Sequence, residues 1–598
     1  ISCGVAQMAS SRAVETALQV ATAAILLSLP LWAGDYSANQ IGLLLLYGMA
    51  TQSVALCWGN SGFLPLGQSL FFGLGAYVSA FVLRSAAAAG GEWQIILLPF
   101  AIAVPAALAY AIGFIVFARR IDSGPFFSLI TLALCMLGFL LANQWSSVTG
   151  GFNGLTDIPD LPMTDRYGNL YYVIAAAAVV VTALITWLNR RPIGTLWTAI
   201  SENEDRLQFF GFATHKLKAA AFGLSGAIAG LGGALYAPHE GLVGPQAVGV
   251  ALSAQFVIWA AVGGKRSPLG AQLGAVVIGL LAATWRDLFT YWEVLVALIF
   301  IGVVRLFPDG LAGAAAALAR MAGLRVANSI PEKRIEAHDI AMIDLRPAES
   351  TLLSFRKVEV SQGGVNILNG LDLEVGAGVV NCFIGPNGAG KTSTFNAMTG
   401  RLPVRSGEIR FRGAEISSSQ AWQVSRLGVG RKFQIPTVFA QLSVNENLQI
   451  ALWANRIRPR EMLTAAPLHW NSLQRVRTLE KFGFLESNMA ARAGDLSQGM
   501  RQMLEFAMVA ITEPRLLLLD EPCAGLSAHE TRHMMDAITS TVSELDASAI
   551  VIEHDMSALE KIADNVVVLH QGRSLAVGSL AQIKMSEDVK AVYSGGRK

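Results

Sequence analysis

The sequence predicts a multi-domain chain of two unlike parts. An all-α polytopic membrane domain occupies 1–320, a linker 321–348, and an α/β domain 349–598. Three observations predict this. Hydrophobic residues make up 53% of 598 positions and charged residues only 15%, with a mean hydropathy of +0.47. Those averages merge two populations: long uncharged apolar runs end near residue 320, and a mixed, charge-bearing pattern begins near 345. Finally, Gly385-Pro386-Asn387-Gly388-Ala389-Gly390-Lys391-Thr392 fits the spacing G-x-x-x-x-G-K-[ST] between an apolar run and a helical stretch. A chain of this length holds more than one domain, and the composition shift marks the join.

The first part carries about ten apolar stretches of the length that crosses a bilayer, roughly 20 residues each. They lie near 15–33, 41–58, 63–83, 94–118, 126–143, 170–188, 218–238, 249–264, 267–285 and 290–306. The pair 249–264 and 267–285 also fits a re-entrant hairpin plus a span. Leu64-Pro65-Leu66-Gly67 predicts a broken start to the third stretch. Arg119-Arg120, Arg190-Arg191 and Lys265-Arg266 fall in three alternate loops, which the positive-inside rule places in the cytoplasm. The second part is then cytoplasmic as well, and 144–169, with Asp157, Asp160 and Asp165 against Arg166, is external. The expected location is the inner, cytoplasmic membrane, with the lipid bilayer as solvent. No secretory signal pattern precedes 15–33, which reads as a true span.

The main polar loop on the inner side is 189–217. An amphipathic helix there would put Trp197, Ile200 and Leu207 on one face, with Glu202, Glu204 and Arg206 beside them. It reads either as a solvated connector or as a docking helix for an energy-supplying domain, and the second part of the chain favours docking.

In the second part, Val379, Val380, Phe383 and Ile384 read as a buried strand and Thr392 to Thr399 as a helix, so the Gly-rich loop sits at a helix N-terminus suited to phosphate. Gly385, Gly388 and Gly390 free the backbone N–H groups to close on phosphate oxygens. Pro386, Asn387, Ala389 and Ser393 complete the predicted ATP-binding run. Lys391 reaches the β- and γ-phosphates, and the Thr392 hydroxyl ligates Mg²⁺. The strand Leu516-Leu517-Leu518-Leu519 delivers Asp520 and Glu521 to its C-terminal end, where open α/β sheets bind ligands. Asp520 suits Mg²⁺, and Glu521 suits the polarisation of an attacking water. Leu496-Ser497-Gln498-Gly499-Met500 precedes a strong helix and reads either as a second anion site or as an ordinary N-cap. Gln434 ends a short apolar segment, and His554 ends another strand.

The order Gly385–Thr392, Gln434, Leu496-Ser497-x-Gly499, Asp520-Glu521, His554 resembles the nucleotide-binding domain of ATP-binding cassette (ABC) transporters across 350–598. The resemblance implies two such domains facing head to tail, each ATP lying between one P-loop and the other domain's L-S-x-G segment. It implies Glu521 as catalytic base, His554 as switch residue, and Gln434 as the Mg²⁺-sensing residue that meets the membrane domain. Gly428-Val429-Gly430-Arg431-Lys432-Phe433-Gln434-Ile435-Pro436-Thr437-Val438-Phe439 resembles the ATPases of branched-chain amino acid and urea uptake systems, closest to the urea branch. Leu66-Gly67-Gln68 to Tyr77, Thr149-Gly150-Gly151-Phe152-Asn153-Gly154, and Ala199 to Arg206 resemble the matching permeases. The implied partners are a second permease, a second ABC ATPase and an extracytoplasmic solute-binding protein.

Met500 stands where the family has Gln, Ser527 where many relatives have Asp, and Ser361 to Val365 lacks the aromatic that stacks on adenine. The expected function is ATP-driven import of urea, a short amide or a branched-chain amino acid. Short spans and tight loops speak against an exporter, and Glu521 with His554 against a degenerate regulatory ATPase. A net charge of +2 predicts no nucleic-acid partner, and five scattered cysteines give no disulfide or zinc pattern.

Overall fold

A computed structural model describes residues 2–89, 96–118, 124–285, 291–307, 309–321, 351–454, 457–464, 481–553 and 556–593. Arg119-Arg120, most of the linker and His554 lie outside the described residues. The chain divides into two compact units. The first comprises Ile1–Ser201 and Thr214–Glu332, with Leu463–Ala465. The second comprises Glu202–Ala213, Lys333–Met462 and Ala466–Lys598.

The first unit is helical: α1 (Ser2–Ala55), α2 (Gln68–Ala89), α3 (Phe100–Ala118), α4 (Pro125–Gln144), α5 (Leu170–Asn189), α6 (Pro192–Gln208, which runs into the second unit), α7 (Thr214–Glu240), α8 (Val250–Gly263), α9 (Pro268–Trp285), α10 (Trp292–Leu306) and α11 (Gly310–Met321). Seven helices among the described residues are long and apolar enough to cross a membrane, against about ten expected spans. The stretches 15–33 and 41–58 fall in two helical segments of α1 that meet at a kink at Gly34 (φ 78°, ψ 163°). The glycine's left-handed φ breaks the helix there, and Pro30 withholds one ladder N–H a turn earlier. The stretches at 249–264 and 290–306 give helices of 14 and 15 residues, shorter than a full span.

Close helix approach is written in small residues. A Cβ on Gly226 of α7 would lie 2.5 Å from Ala109 Cβ and 2.7 Å from the Pro105 carbonyl oxygen of α3. Lipid offers no hydrophobic drive between helices, so this backbone contact supplies the dispersion that replaces it. The break predicted before α2 is present: Phe63–Gly67 is non-helical. Backbone groups at such a break need partners inside the membrane. Thr131 accepts from Leu66 N (3.0 Å), Ser128 donates to Leu64 O (2.7 Å), Ser253 donates to Leu66 O (2.7 Å) and accepts from Gln68 N (2.8 Å). The Gln68 side chain donates to Ser53 and Ser225, and Asn143 donates to Phe139 O within its own helix.

The second unit holds β1 (Thr351–Gln362), β2 (Val365–Gly376), β3 (Val380–Ile384), β4 (Ser406–Phe411), β5 (Ala414–Glu415), β6 (Val429–Lys432), β7 (Leu516–Asp520), β8 (Ser548–Ile552), β9 (Asn565–His570) and β10 (Arg573–Gly578). A six-stranded sheet runs in the order β10-β9-β3-β8-β7-β6, parallel except for β10, and β2-β1-β4-β5 form an antiparallel sheet. Every residue of β3, β7 and β8 is buried, as expected of parallel strands covered on both faces. Because β8 alone separates β3 from β7, the loop after β3 and the acids after β7 emerge at the same sheet edge.

Candidate functional site

The Gly-rich loop follows β3 and opens α12 (Lys391–Met398). Gly385 (φ 152°) could not be another residue, since a Cβ there would lie 2.2 Å from Leu569 O. Lys391 folds back over its own loop. Its Nζ donates to Gly385 O (2.7 Å) and Pro386 O (3.2 Å), and the side chain is 8% exposed. Burial pulls its ammonium below the usual lysine range, opposed by the charges of Glu521 and Asp520.

A pocket of about 630 Å³ is lined by Asn387, Gly388, Ala389, Gly390, Lys391, Thr392 and Ser393 on one side and by Gln434 and Glu521 on another. Gln434 Nε2 donates to Glu521 Oε2 at 2.9 Å. Glu521 takes a left-handed φ of 44°, an uncommon conformation for a side chain of this type. Its backbone N–H donates to Ile552 O, and the turn beyond is fixed by Cys523 N–H donating to Glu553 Oε1 (2.9 Å).

Asp520, 2% exposed, sits beneath. Burial raises its carboxyl above the usual range, opposed by the Arg431 guanidinium and by hydrogen bonding with Thr392. Asp520 Oδ1 is buried with no hydrogen-bond partner among the described residues. An orphaned carboxylate oxygen beside a threonine hydroxyl, at a pocket that Gln434 also lines, is an all-oxygen donor set, which fits Mg²⁺ and not a softer metal. Among the described residues no group of three or more His, Cys, Asp or Glu could hold a metal ion.

The structure therefore brings together Gly385 to Ser393, Gln434, Asp520 and Glu521. Leu496 to Met500 stands at the start of another helix, α13 (Gln498–Ile511). Ser497 is its N-cap, accepting from Met500 N–H at 3.2 Å, so the cap uses the backbone of position 500 and not its side chain. A Cβ on Gly499 would lie 2.4 Å from Glu530 Oε1 and would displace that carboxylate.

The expected helix face at 197–207 is corrected. Asn203 is extended (φ −155°, ψ 90°) and breaks α6, its Oδ1 accepting from Arg206 N–H (2.8 Å) to cap the last turn. Trp197 and Ile200 are buried in the first unit, Trp197 donating to Leu217 O (3.1 Å). Glu202, Glu204, Arg206 and Leu207 belong to the second. There, the Glu202 carboxylate accepts from Gln441 N–H at 3.0 Å, Asp205 pairs with Arg401, Ser425 Oγ donates to Phe209 O (2.6 Å), and Phe209 packs edge-on against Phe433.

Sequence reasoning missed the opposite pocket wall of Val365, Asn366, Ile367, Asn369 and Gln571. Val365, 66% exposed, supplies an apolar side chain in the stretch searched for an aromatic. Gln571 comes from the β9–β10 turn, joined to Asn369 by Asn369 Nδ2 donating to Gln571 O (2.8 Å). No local signal links residues so far apart in the chain.

Residues 36–304 match the family described as branched-chain amino acid transport system / permease component, and residues 368–524 match the family described as ABC transporter. The high-affinity branched-chain amino acid transport ATP-binding protein BraF of Pseudomonas aeruginosa is 36% identical over 249 residues, covering 39% of this chain and 93% of that protein. LivG of Escherichia coli (strain K12), of the same description, is 34% identical over 253 residues, covering 41% of this chain and 98% of its own. A nucleotide-free ATP-binding cassette from an ABC transporter superposes with a TM-score of 0.35 at 24% identity, over 41% of this chain and 96% of that one.

Proposed function

Because the chain belongs to the ABC transporters and joins a permease region to an ATP-hydrolysing cassette, we propose that it drives a small polar solute inward across the cytoplasmic membrane. The solute class is a branched-chain amino acid, urea or a short amide. One observation carries the reading. Lys391, Thr392, Gln434 and Glu521 line a single pocket, and the segment Glu202–Ala213, which lies in the chain between apolar helices, folds into the same unit as that pocket.

In this mechanism the loop N–H groups and Lys391 bind the ATP phosphates. Thr392, Asp520 and Gln434 would hold Mg²⁺, which when bound supplies neutralisation of charge on the β- and γ-phosphates. Glu521, oriented by Gln434, accepts the proton of the attacking water. His554 is assigned beside the γ-phosphate by its place in the motif order. Val365 and Ile367 cover the base in place of an aromatic ring. Leu496 to Met500 serves the ATP of a second cassette through backbone N–H groups, so the working assembly pairs this chain with a second permease, a second ATPase and an extracytoplasmic binding protein. Glu202, Glu204 and Arg206 couple hydrolysis to the permease, and Trp197 and Ile200 anchor that segment among the helices. The working domains remain 1–320, 321–348 and 349–598.

The test is ATPase stimulation of the purified complex by solute-loaded binding protein, with leucine, urea and acetamide compared. Stimulation by one of these supports the reading; stimulation by none, with hydrolysis intact, refutes the solute class.

A further inference from the structure

We propose that Glu505 is a positioning residue for the ATP site, a carboxylate through which Arg206 sets the Gln434 segment and the signature helix in one register. The proposal deepens the transporter reading above and rests on it.

Glu505 lies on α13, the helix that Ser497 caps, and is fully buried. Its Oε1 accepts from Thr437 Oγ1 (2.8 Å) and from Phe433 N–H (3.3 Å), and it lies 3.3 Å from an Arg206 guanidinium nitrogen. Lys432 Nζ stands 3.9 Å from the other oxygen. Arg206, 1% exposed, also donates to Arg431 O (2.7 Å), and its guanidinium lies over the Phe210 ring at 4.6 Å. Burial lowers its pKa, and the Glu505 charge opposes that shift.

Phe433 immediately precedes Gln434 and Thr437 lies three residues beyond, so one carboxylate grips the chain on both sides of Gln434. One turn earlier on the same helix, Gln502 Nε2 donates to the Gln434 carbonyl (3.3 Å). The Gln434 side chain then holds Glu521 at 2.9 Å. The links run without a gap from Arg206 through Glu505 to Phe433 and Thr437, then to Gln434 and Glu521.

Stability does not require the charges here. Buried ion pairs replaced by apolar groups of similar volume often leave a protein as stable or more so. What apolar groups cannot supply is an acceptor for the Phe433 N–H and the Thr437 hydroxyl. The carboxylate therefore serves placement of the Gln434 segment. Because Glu505 and Ser497 share a helix, a shift of Arg206 moves both this chain's Gln434 and the signature offered to the partner's ATP. Such a contiguous element, biased from both ends, is what coupling requires physically.

The experiment uses the full chain in its assembled complex and compares wild type, Glu505→Gln, Arg206→Lys, and the triple variant Arg206→Met/Lys432→Met/Glu505→Leu. ATP affinity, kcat and thermal unfolding are measured on each. The triple variant, which leaves the Phe433 N–H and the Thr437 hydroxyl without this acceptor, is expected to unfold a few degrees below wild type and bind ATP within about twofold, with kcat lower by about tenfold. Arg206→Lys, which keeps the charge and loses the fork, should fall between. Glu505→Gln, isosteric, keeps an acceptor oxygen for Phe433 N–H and Thr437 Oγ1 but loses the charge that Arg206 engages, so it should lose part of that kcat at unchanged affinity, and it is the deciding variant if the triple one fails to fold. Wild-type kcat in Glu505→Gln overturns the proposal, as does a loss of affinity and unfolding temperature in step with kcat. Solute movement by the wild type tests the transporter reading separately, since these readouts need hydrolysis alone.

Discussion

Replacing Glu521 by Gln is the sharpest single perturbation of the ATP site. Glu521 Oε2 accepts from Gln434 Nε2 at 2.9 Å, and the residue is fixed in a left-handed backbone conformation by its N–H bond to Ile552 O. Gln has the same shape, so the pocket wall, the Lys391 loop and the phosphate cradle stay in place. What disappears is the negative charge that takes a proton from water. Loss of a general base costs about 10²–10⁴ in rate, which is about 2.7–5.5 kcal/mol of transition-state stabilisation. Removing a negative charge next to the phosphate site leaves ATP binding unchanged or tighter. The assay is single-turnover hydrolysis in the assembled complex, with nucleotide affinity measured on the same sample. Hydrolysis within tenfold of wild type would refute the assignment of Glu521 as base.

Lys391→Ala should act on binding itself, raising the Kd for ATP more than about tenfold, because it removes the buried cation of the phosphate-binding loop; equilibrium titration with a non-hydrolysed analogue checks this. Arg431→Met should move the acid limb of the ATPase pH profile to higher pH. Burial already raises Asp520 and Arg431 opposes that rise, so without Arg431 the carboxyl protonates earlier as pH falls. The same sign gives the opposite trend in folding stability. The contribution of a raised carboxyl is fully present below its unfolded pKa of about 3.9 and is lost as pH rises through the folded value. Cysteines at Glu202 and Gln441 should form a crosslink within the second unit, where the Glu202 carboxylate now accepts from the Gln441 N–H; an intact, active complex that never crosslinks would contradict the docking of 202–213.

The parts of the site that are local in sequence were legible. A loop between a buried strand and a helix, and acids at the end of an apolar strand, need only a few consecutive residues to declare themselves. That their C-terminal ends meet then follows, because strands buried on both faces run parallel, whereas the strand order does not. Three things were hidden. Asn203 breaks α6 through a cap made by its own side chain, so the helical periodicity around it predicts a continuous face that does not exist. Glu505 sits in a strongly helical run where a glutamate reads as solvated surface, and only the fold surrounds it with Arg206 and Lys432. The Val365 and Gln571 wall joins two distant turns.

The central claim is that hydrolysis at this pocket moves solute toward the ATPase side. Reconstitution of the complete complex with binding protein in vesicles measures it directly, with ATP supplied to one compartment only. The account predicts that labelled solute accumulates in the compartment that holds ATP, at a rate abolished by Glu521→Gln. Movement away from that compartment, or hydrolysis without any movement, would contradict it.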